Sequence, residues 1–229
     1  MNDLSANKRM ISTSESNGKG KNIAHLQFIT QPVVGKSTVE VVKAVCDAGV
    51  KWIQLRLKNA DEFVWEQEAI AVWEVCQDYG AQLIINDNVE LAARVMADGV
   101  HLGKEDKSPS EARKILGDGA IIGATANTFE DIFVLNEQPV DYIGLGPFAY
   151  THTKENLSPI LGQEGYEKIV KQVKDAGLSK PIIAVGGIKD TDVAELMSSG
   201  IYGIAVSGAI ANSGNYQQSV RNFQKAMQS

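Results

Sequence analysis

Apolar residues along this chain gather into eight short runs rather than long stretches: LQFIT, KWIQLRLK, QLIINDN, GVHLGKED, AIIGAT, DYIGLGP, PIIAVGGI and GIAVSG. Runs of four to eight apolar residues, rich in β-branched side chains and bounded by turn residues, read as strands buried on both faces, which is how parallel sheets look. Between them the apolar period changes to that of helices, near residues 37–48, 61–79, 88–97, 109–116, 128–136, 164–176, 190–199 and 209–227. The sixth is the clearest, with Tyr166, Ile169, Val170 and Val173 at i, i+3, i+4 and i+7. Eight strand–helix units in a row close naturally into a (β/α)8 barrel, and an open doubly wound sheet is the alternative.

The pattern starts only after about residue 23. Residues 1–23 are poor in apolar side chains and rich in Ser, Asn, Gly and Lys, so a disordered tail is expected there. Residues 24–229 form one barrel domain on this reading: 229 residues at 44% hydrophobic supply one sizeable core, near the roughly 250 typical of such barrels. With 28 acidic against 22 basic residues the net charge is −6, which argues against nucleic-acid and membrane-surface partners. No apolar stretch approaches the roughly 18 residues of a membrane helix, and the N-terminal residues lack the apolar segment of a signal peptide. A cytoplasmic protein acting on small molecules is expected; the oligomeric state is left open. Cys46 and Cys76 lie among apolar neighbours without metal-binding spacing and read as reduced core thiols.

A barrel gathers every strand C-terminus around one mouth, and here nearly every strand ends on residues suited to an anion or a cation. Gln54, Arg56 and Lys58 alternate at the end of the second strand, so all three face one side. A solvated strand edge would explain them too, but inward-facing charges need a partner, and a multiply charged anion supplies it. Asn86-Asp87-Asn88 ends the third strand and Asp106 follows the fourth. Two readings stand for these: turn and helix-cap residues, with Asn88 as the cap, or oxygen ligands for a Mg2+ that also bridges phosphates. Gly186-Gly187 and Ser207-Gly208 fall after strands seven and eight, where barrels bind phosphate through backbone N–H groups. The loop Gly144–Lys154 is long, and Phe148 and Tyr150 predict that it packs. Of the histidines, His25 reads as structural, His101 as a hydrogen-bonded barrel residue and His152 as shaping its loop. No nucleophile motif or zinc spacing is present.

Taken in order, QLRLK, IIND, DGVHLGKED, IIGAT, DYIGLGPFAYTHTK, AVGGI and AVSGAI resemble the thiamine-phosphate synthase family over about residues 26–211. The resemblance implies a transferase that couples 4-amino-2-methyl-5-(diphosphooxymethyl)pyrimidine to a thiazole phosphate, yielding thiamine phosphate and pyrophosphate. It implies that Gln54, Arg56, Lys58, Asn86, Thr125 and Lys154 bind the pyrimidine diphosphate. It implies that Asp87 and Asp106 hold Mg2+, and that Thr151, Thr153, Gly187, Ser207 and Gly208 bind the thiazole phosphate. Arg56, Lys58 and Lys154 would then act electrostatically, with no protein nucleophile. Relative to the family pattern, Thr125 stands for serine, Asn127 for a common histidine, Lys104 for glutamine, and Ser207-Gly208 for a shifted serine. Related thiazole tautomerases and a non-catalytic phosphate-binding barrel are the alternative functions.

Overall fold

The computed structural model describes residues 21–57, 61–151 and 159–228. Eight strands, β1 (Leu26–Ile29), β2 (Trp52–Leu55), β3 (Gln82–Asn86), β4 (Gly99–Leu102), β5 (Ile121–Ala126), β6 (Tyr142–Leu145), β7 (Ile182–Val185) and β8 (Gly203–Val206), pair in parallel and in chain order. The last returns to the first through Leu26↔Ile204 and Phe28↔Val206, so the sheet is a closed barrel. That pairing excludes the open sheet.

Around it run α1 (Thr38–Asp47), α2 (Glu62–Tyr79), α3 (Val89–Arg94), α4 (Pro109–Leu116), α5 (Phe129–Asn136), α6 (Gly162–Asp175), α7 (Val193–Ser199), α8 (Gly208–Ala211) and α9 (Tyr216–Ala226). Local chemistry sets where several begin. Ser37, Ser108 and Thr128 each accept the backbone N–H three residues on, while Glu40, Glu111 and Asp131 accept the cap's own N–H. These reciprocal bonds satisfy donors that a helix start leaves without partners. Asn88 caps α3 as expected, accepting from Leu91 N at 2.9 Å. The predicted stripe of α6 is buried at all four positions.

Four boundaries differ from the sequence reading. The last predicted helix is two: α8 ends at Asn212, Gly214 turns at φ 70°, and Asn215 opens α9 by accepting from Gln218 N at 3.0 Å. The third predicted helix stops at Arg94, and the seventh opens with a 3-10 turn over Asp190–Asp192. Residues 21–23, assigned to the tail, are packed. Ile23 is 7% exposed within the barrel floor, its carbonyl accepts from the Tyr202 hydroxyl, and Lys21 pairs with Asp141 at 2.8 Å. Residues 1–20 lie outside the described part.

Two apolar cores result from period-two alternation. Ile53, Leu55, Leu83, Ile85 and Val100 face the helices, joining Val41, Val45, Val72 and Val170. Trp52, Ile84, Ile121, Tyr142, Ile183 and Ala205 face inward with Ile23 and fill the lower barrel. Gly123 makes room for this packing, since a Cβ there would stand 2.1 Å from a Tyr142 ring carbon. Among the described residues no helix is long and apolar enough to cross a membrane.

Candidate active site

Above the apolar floor the barrel interior turns polar. Gln27 and Gln54 are 1% and 2% exposed, and neighbouring strands set their amides together: Gln54 Nε2 donates to Gln27 Oε1 at 3.1 Å. Gln27 Nε2 in turn donates to the Tyr142 hydroxyl at 3.4 Å. His101 continues the chain, with Nδ1 2.9 Å from Tyr142 Oη and Nε2 3.0 Å from Thr125 Oγ1. Burial pushes the Tyr142 phenol well above its ordinary range, against the opposing pull of the two glutamine amides. Gln27, Gln54, Tyr142, His101 and Thr125 thus partner one another, as low-dielectric interiors favour. His101 is thus a hydrogen-bonded barrel residue, as the sequence suggested.

The rim over β2–β4 carries the charges. Arg56 follows β2 half-buried, and the Thr30 hydroxyl anchors its backbone by accepting from Arg56 N at 2.9 Å. Burial lowers the Arg56 guanidinium from its usual value, while the Asp87 carboxylate opposes the shift. Asn86 ends β3 opposite His101. Asp87 then adopts the left-handed region at φ 65°, which short polar side chains tolerate better than bulky ones, and its N–H donates to His101 O at 2.8 Å. Asp106 folds back so that Oδ2 accepts from Gly103 N at 2.6 Å.

The two carboxylates converge. A Cβ built on Gly103 would stand 3.0 Å from Asp106 Oδ2 and 4.0 Å from Asp87 Oδ1, so the missing side chain leaves space between them. Among the described residues no group of three or more His, Cys, Asp or Glu forms a richer cluster. Two hard oxygen ligands beside open space suit Mg2+, which is held by one or two carboxylates while waters and phosphate oxygens complete its octahedron. Neighbouring Lys104 is engaged elsewhere, 2.6 Å from Asp131.

The rim over β6–β8 is built from backbone. Gly186 and Gly187 turn at φ 98° and 71°. The chain after β6 lies directly on Gly187: a Cβ there would meet Tyr150 O at 2.7 Å and Ala149 O at 2.8 Å. Phe148, partly buried, packs edge-on against Tyr166 at 5.8 Å, whereas Tyr150 is 62% exposed. Thr151 is half-buried at the edge of the described part. Ser207 Oγ donates to Gln31 Oε1 at 3.1 Å, and Gly208 begins α8. The first amides of a helix have no intrahelical acceptor, and a Cβ at Gly208 would meet nothing closer than 3.5 Å. Backbone donors are therefore accessible where the sequence departs from its family.

Of the residues assigned from the sequence, Gln54, Arg56, Asn86, Asp87, Asp106 and Thr125 end adjacent strands β2–β5, and Thr151, Gly187, Ser207 and Gly208 follow β6–β8. Lys58, Thr153 and Lys154, like His152, lie outside the described residues. Gln54 is buried below the rim, where its amide nitrogen donates to Gln27. Gln27, Thr30, Gln31 and Tyr142 were not singled out from the sequence; a glutamine inside the apolar run LQFIT, in phase with Ile29, was the available signal. Asn127, in the place of a family histidine, donates Nδ2–H to Gly146 O at 2.5 Å. His25 Nδ1 lies 2.5 Å from Tyr202 O, a structural contact. Cys46 and Cys76 are buried and free, with burial pushing the Cys46 thiol up to about 11.

Comparison with known proteins agrees with this geometry. Residues 26–210 match the family described as Thiamine monophosphate synthase. The thiamine-phosphate synthase of Phocaeicola vulgatus is 48% identical over 185 residues, covering 81% of this chain and 89% of that protein. That of Flavobacterium psychrophilum is 46% identical over 202 residues, covering 88% and 98%. The solved thiamine phosphate pyrophosphorylase of Pyrococcus furiosus superposes with a TM-score of 0.77 at 29% identity, over 89% of this chain and 95% of that one. The chain therefore belongs to the thiamine monophosphate synthase family.

Proposed function

We propose that this chain couples 4-amino-2-methyl-5-(diphosphooxymethyl)pyrimidine to a thiazole phosphate, forming thiamine phosphate and pyrophosphate. The observation that carries the reading is the pair of anion-suited rims on opposite sides of one mouth: Arg56 with Asp87 and Asp106 over β2–β4, and the amides after β7 and β8. Two phosphorylated substrates need two such places.

In the reaction the bond between the pyrimidine methylene carbon and the diphosphate oxygen breaks, its electron pair leaving with pyrophosphate. The thiazole nitrogen lone pair forms the new carbon–nitrogen bond. Arg56 offers bidentate contacts to the departing oxygens, and Lys58 and Lys154 are assigned to the same clamp, where charge develops as the bond opens. Asp87 and Asp106 would hold Mg2+, which supplies further neutralisation of the leaving group. Asn86, Gln54 and Thr125 orient the pyrimidine diphosphate; Thr151, Thr153, Gly187, Ser207 and Gly208 orient the thiazole phosphate. Holding the partners in line and excluding water is the main contribution, and no protein nucleophile is required.

Asn127 disfavours a tautomerase, because an amide spent on Gly146 O cannot serve as a general base. The reading extends to a cytoplasmic enzyme without nucleic-acid or membrane partners, in keeping with the net charge of −6. Incubating the purified chain with both substrates and Mg2+, and assaying thiamine phosphate and pyrophosphate, tests it. Equimolar appearance of the two products is expected; product without pyrophosphate, or no product, overturns the assignment.

A further inference from the structure

Gln54 Nε2 donates to Gln27 Oε1 at 3.1 Å, which leaves the Gln27 amide nitrogen to donate to Tyr142 Oη at 3.4 Å. The phenol oxygen is thus an acceptor toward Gln27. Its single proton, fully buried, is left for the neighbouring His101 Nδ1, at 2.9 Å. Nδ1 must then be unprotonated, so the neutral ring carries its proton on Nε2. That proton is donated to Thr125 Oγ1 at 3.0 Å. A hydroxyl oxygen that accepts this proton keeps its own, so Thr125 can donate toward the open end of the barrel.

We infer that Gln27 and Tyr142 are positioning residues that lock His101 as its Nε2–H tautomer and so leave the Thr125 hydroxyl proton to donate to the pyrimidine substrate. The part of this that concerns the substrate rests on the proposed function; the tautomer does not. The relay carries no formal charge, so it suits the neutral heteroaromatic end of that substrate rather than its diphosphate, and the atom it selects is an acceptor such as a ring nitrogen. Gly123 and Gly144 are what allow the relay to be built: a Cβ on the first would strike Tyr142, and one on the second would stand 2.9 Å from the His101 ring.

The tautomer is tested on the unmodified full-length chain by 15N NMR of labelled histidine, with His101 assigned by comparison with His101→Gln. The expected spectrum has a protonated Nε2 and a bare Nδ1; a protonated Nδ1 overturns the proposal without reference to activity. Steady-state kinetics test the consequence. Thr125→Val should raise KM for the pyrimidine diphosphate about 3- to 10-fold, the scale of one neutral hydrogen bond, while Thr125→Ser restores it. KM for the thiazole phosphate should not move. Tyr142→Phe should give a smaller rise alone and none when added to Thr125→Val, because it acts through that hydroxyl. Multiplying losses, or equal rises in both KM values, would assign Tyr142 to packing alone. A chain that shows the expected tautomer but makes no thiamine phosphate would sink the functional reading and leave the relay standing.

Discussion

The carboxylates of Asp87 and Asp106 follow neighbouring strands and meet over Gly103, whose missing side chain would otherwise stand 3.0 Å from Asp106 Oδ2 and 4.0 Å from Asp87 Oδ1. If this pair is the Mg2+ site, Asp87→Asn and Asp106→Asn should each remove most turnover and shift the Mg2+ requirement to higher concentration. Activity titrated against Mg2+ checks this. Both variants keeping the parent's Mg2+ dependence would place the metal elsewhere.

Lys154, assigned to the diphosphate, is best judged against a lysine close to the site but without a role in it. Lys107 is that control: it is exposed and pairs with Glu90 at 3.1 Å, one residue past Asp106. Lys154→Ala should lower turnover on the order of 10²–10³-fold, by analogy with loss of one oxyanion-hole donor, with little change in Tm. Lys107→Ala should leave turnover near the parent's. Equal losses in the two variants would remove Lys154 from the clamp.

Gly123 is a packing requirement. In Gly123→Ala the new methyl group would fall 2.1 Å from Tyr142 Cζ, so the ring or the strand must move. Overpacking of this kind costs about 1–3 kcal/mol, and this site belongs at the upper end. Urea unfolding should show the loss in midpoint, and an unchanged midpoint would mean that the Tyr142 ring has another place to go.

Asp98 predicts a pH signature. Burial raises its carboxyl above the ordinary range, although Leu83 N donates to it at 2.7 Å. A raised folded-state value means that the native chain binds the proton more tightly than the unfolded chain, so stability is lost as pH rises from the unfolded to the folded value. Asp98→Asn keeps an acceptor for Leu83 and removes the charge. Its Tm should exceed the parent's at pH 7, and the gap should close as pH falls from the raised folded-state value to the unfolded one. A gap independent of pH would show that the charge carries no cost.

The floor of the barrel divides the N-terminal segment into two parts with different consequences. Removing residues 1–20 should leave Tm and activity within error, since that polar stretch has little to bury. Ile23→Ala, which empties a position among Trp52, Ile84 and Ile183, should cost about 2–4 kcal/mol in thermal or urea melts. A Tm drop on the truncation would mean that residues before Lys21 dock on the barrel.

Much of the fold was readable before any coordinates. Apolar runs such as QLII and PIIAV report strands because both faces of a parallel barrel strand are buried, and the change of period between them reports the helices. The anion-suited rims were readable for a related reason: strand ends are short, and polar residues such as Arg56, Asp87 and Gly187 stand out against the apolar run before them. Helix ends were less legible. The last predicted helix runs over 209–227 despite the polar cluster Asn212-Ser213-Gly214-Asn215, where the backbone turns at Gly214 and Asn215 caps a new helix.

The sequence by itself determined the order of elements, the single barrel and the set of polar residues gathered at its mouth, because these depend on local periodicity and on a topology that chain order almost dictates. Only the tertiary structure decided how the interior was shared. Strand register sets Thr125 opposite Gly144 and His101 opposite Gly123, and so decides which glycine yields space to which ring. It also decides that Gln54 turns to Gln27 below the rim, and that Ile23 has a core to enter once eight strands have closed. These contacts join residues up to 179 positions apart, as from Ile23 to Tyr202. No local pattern encodes them, because the space each side chain fills exists only when its distant neighbours are in place.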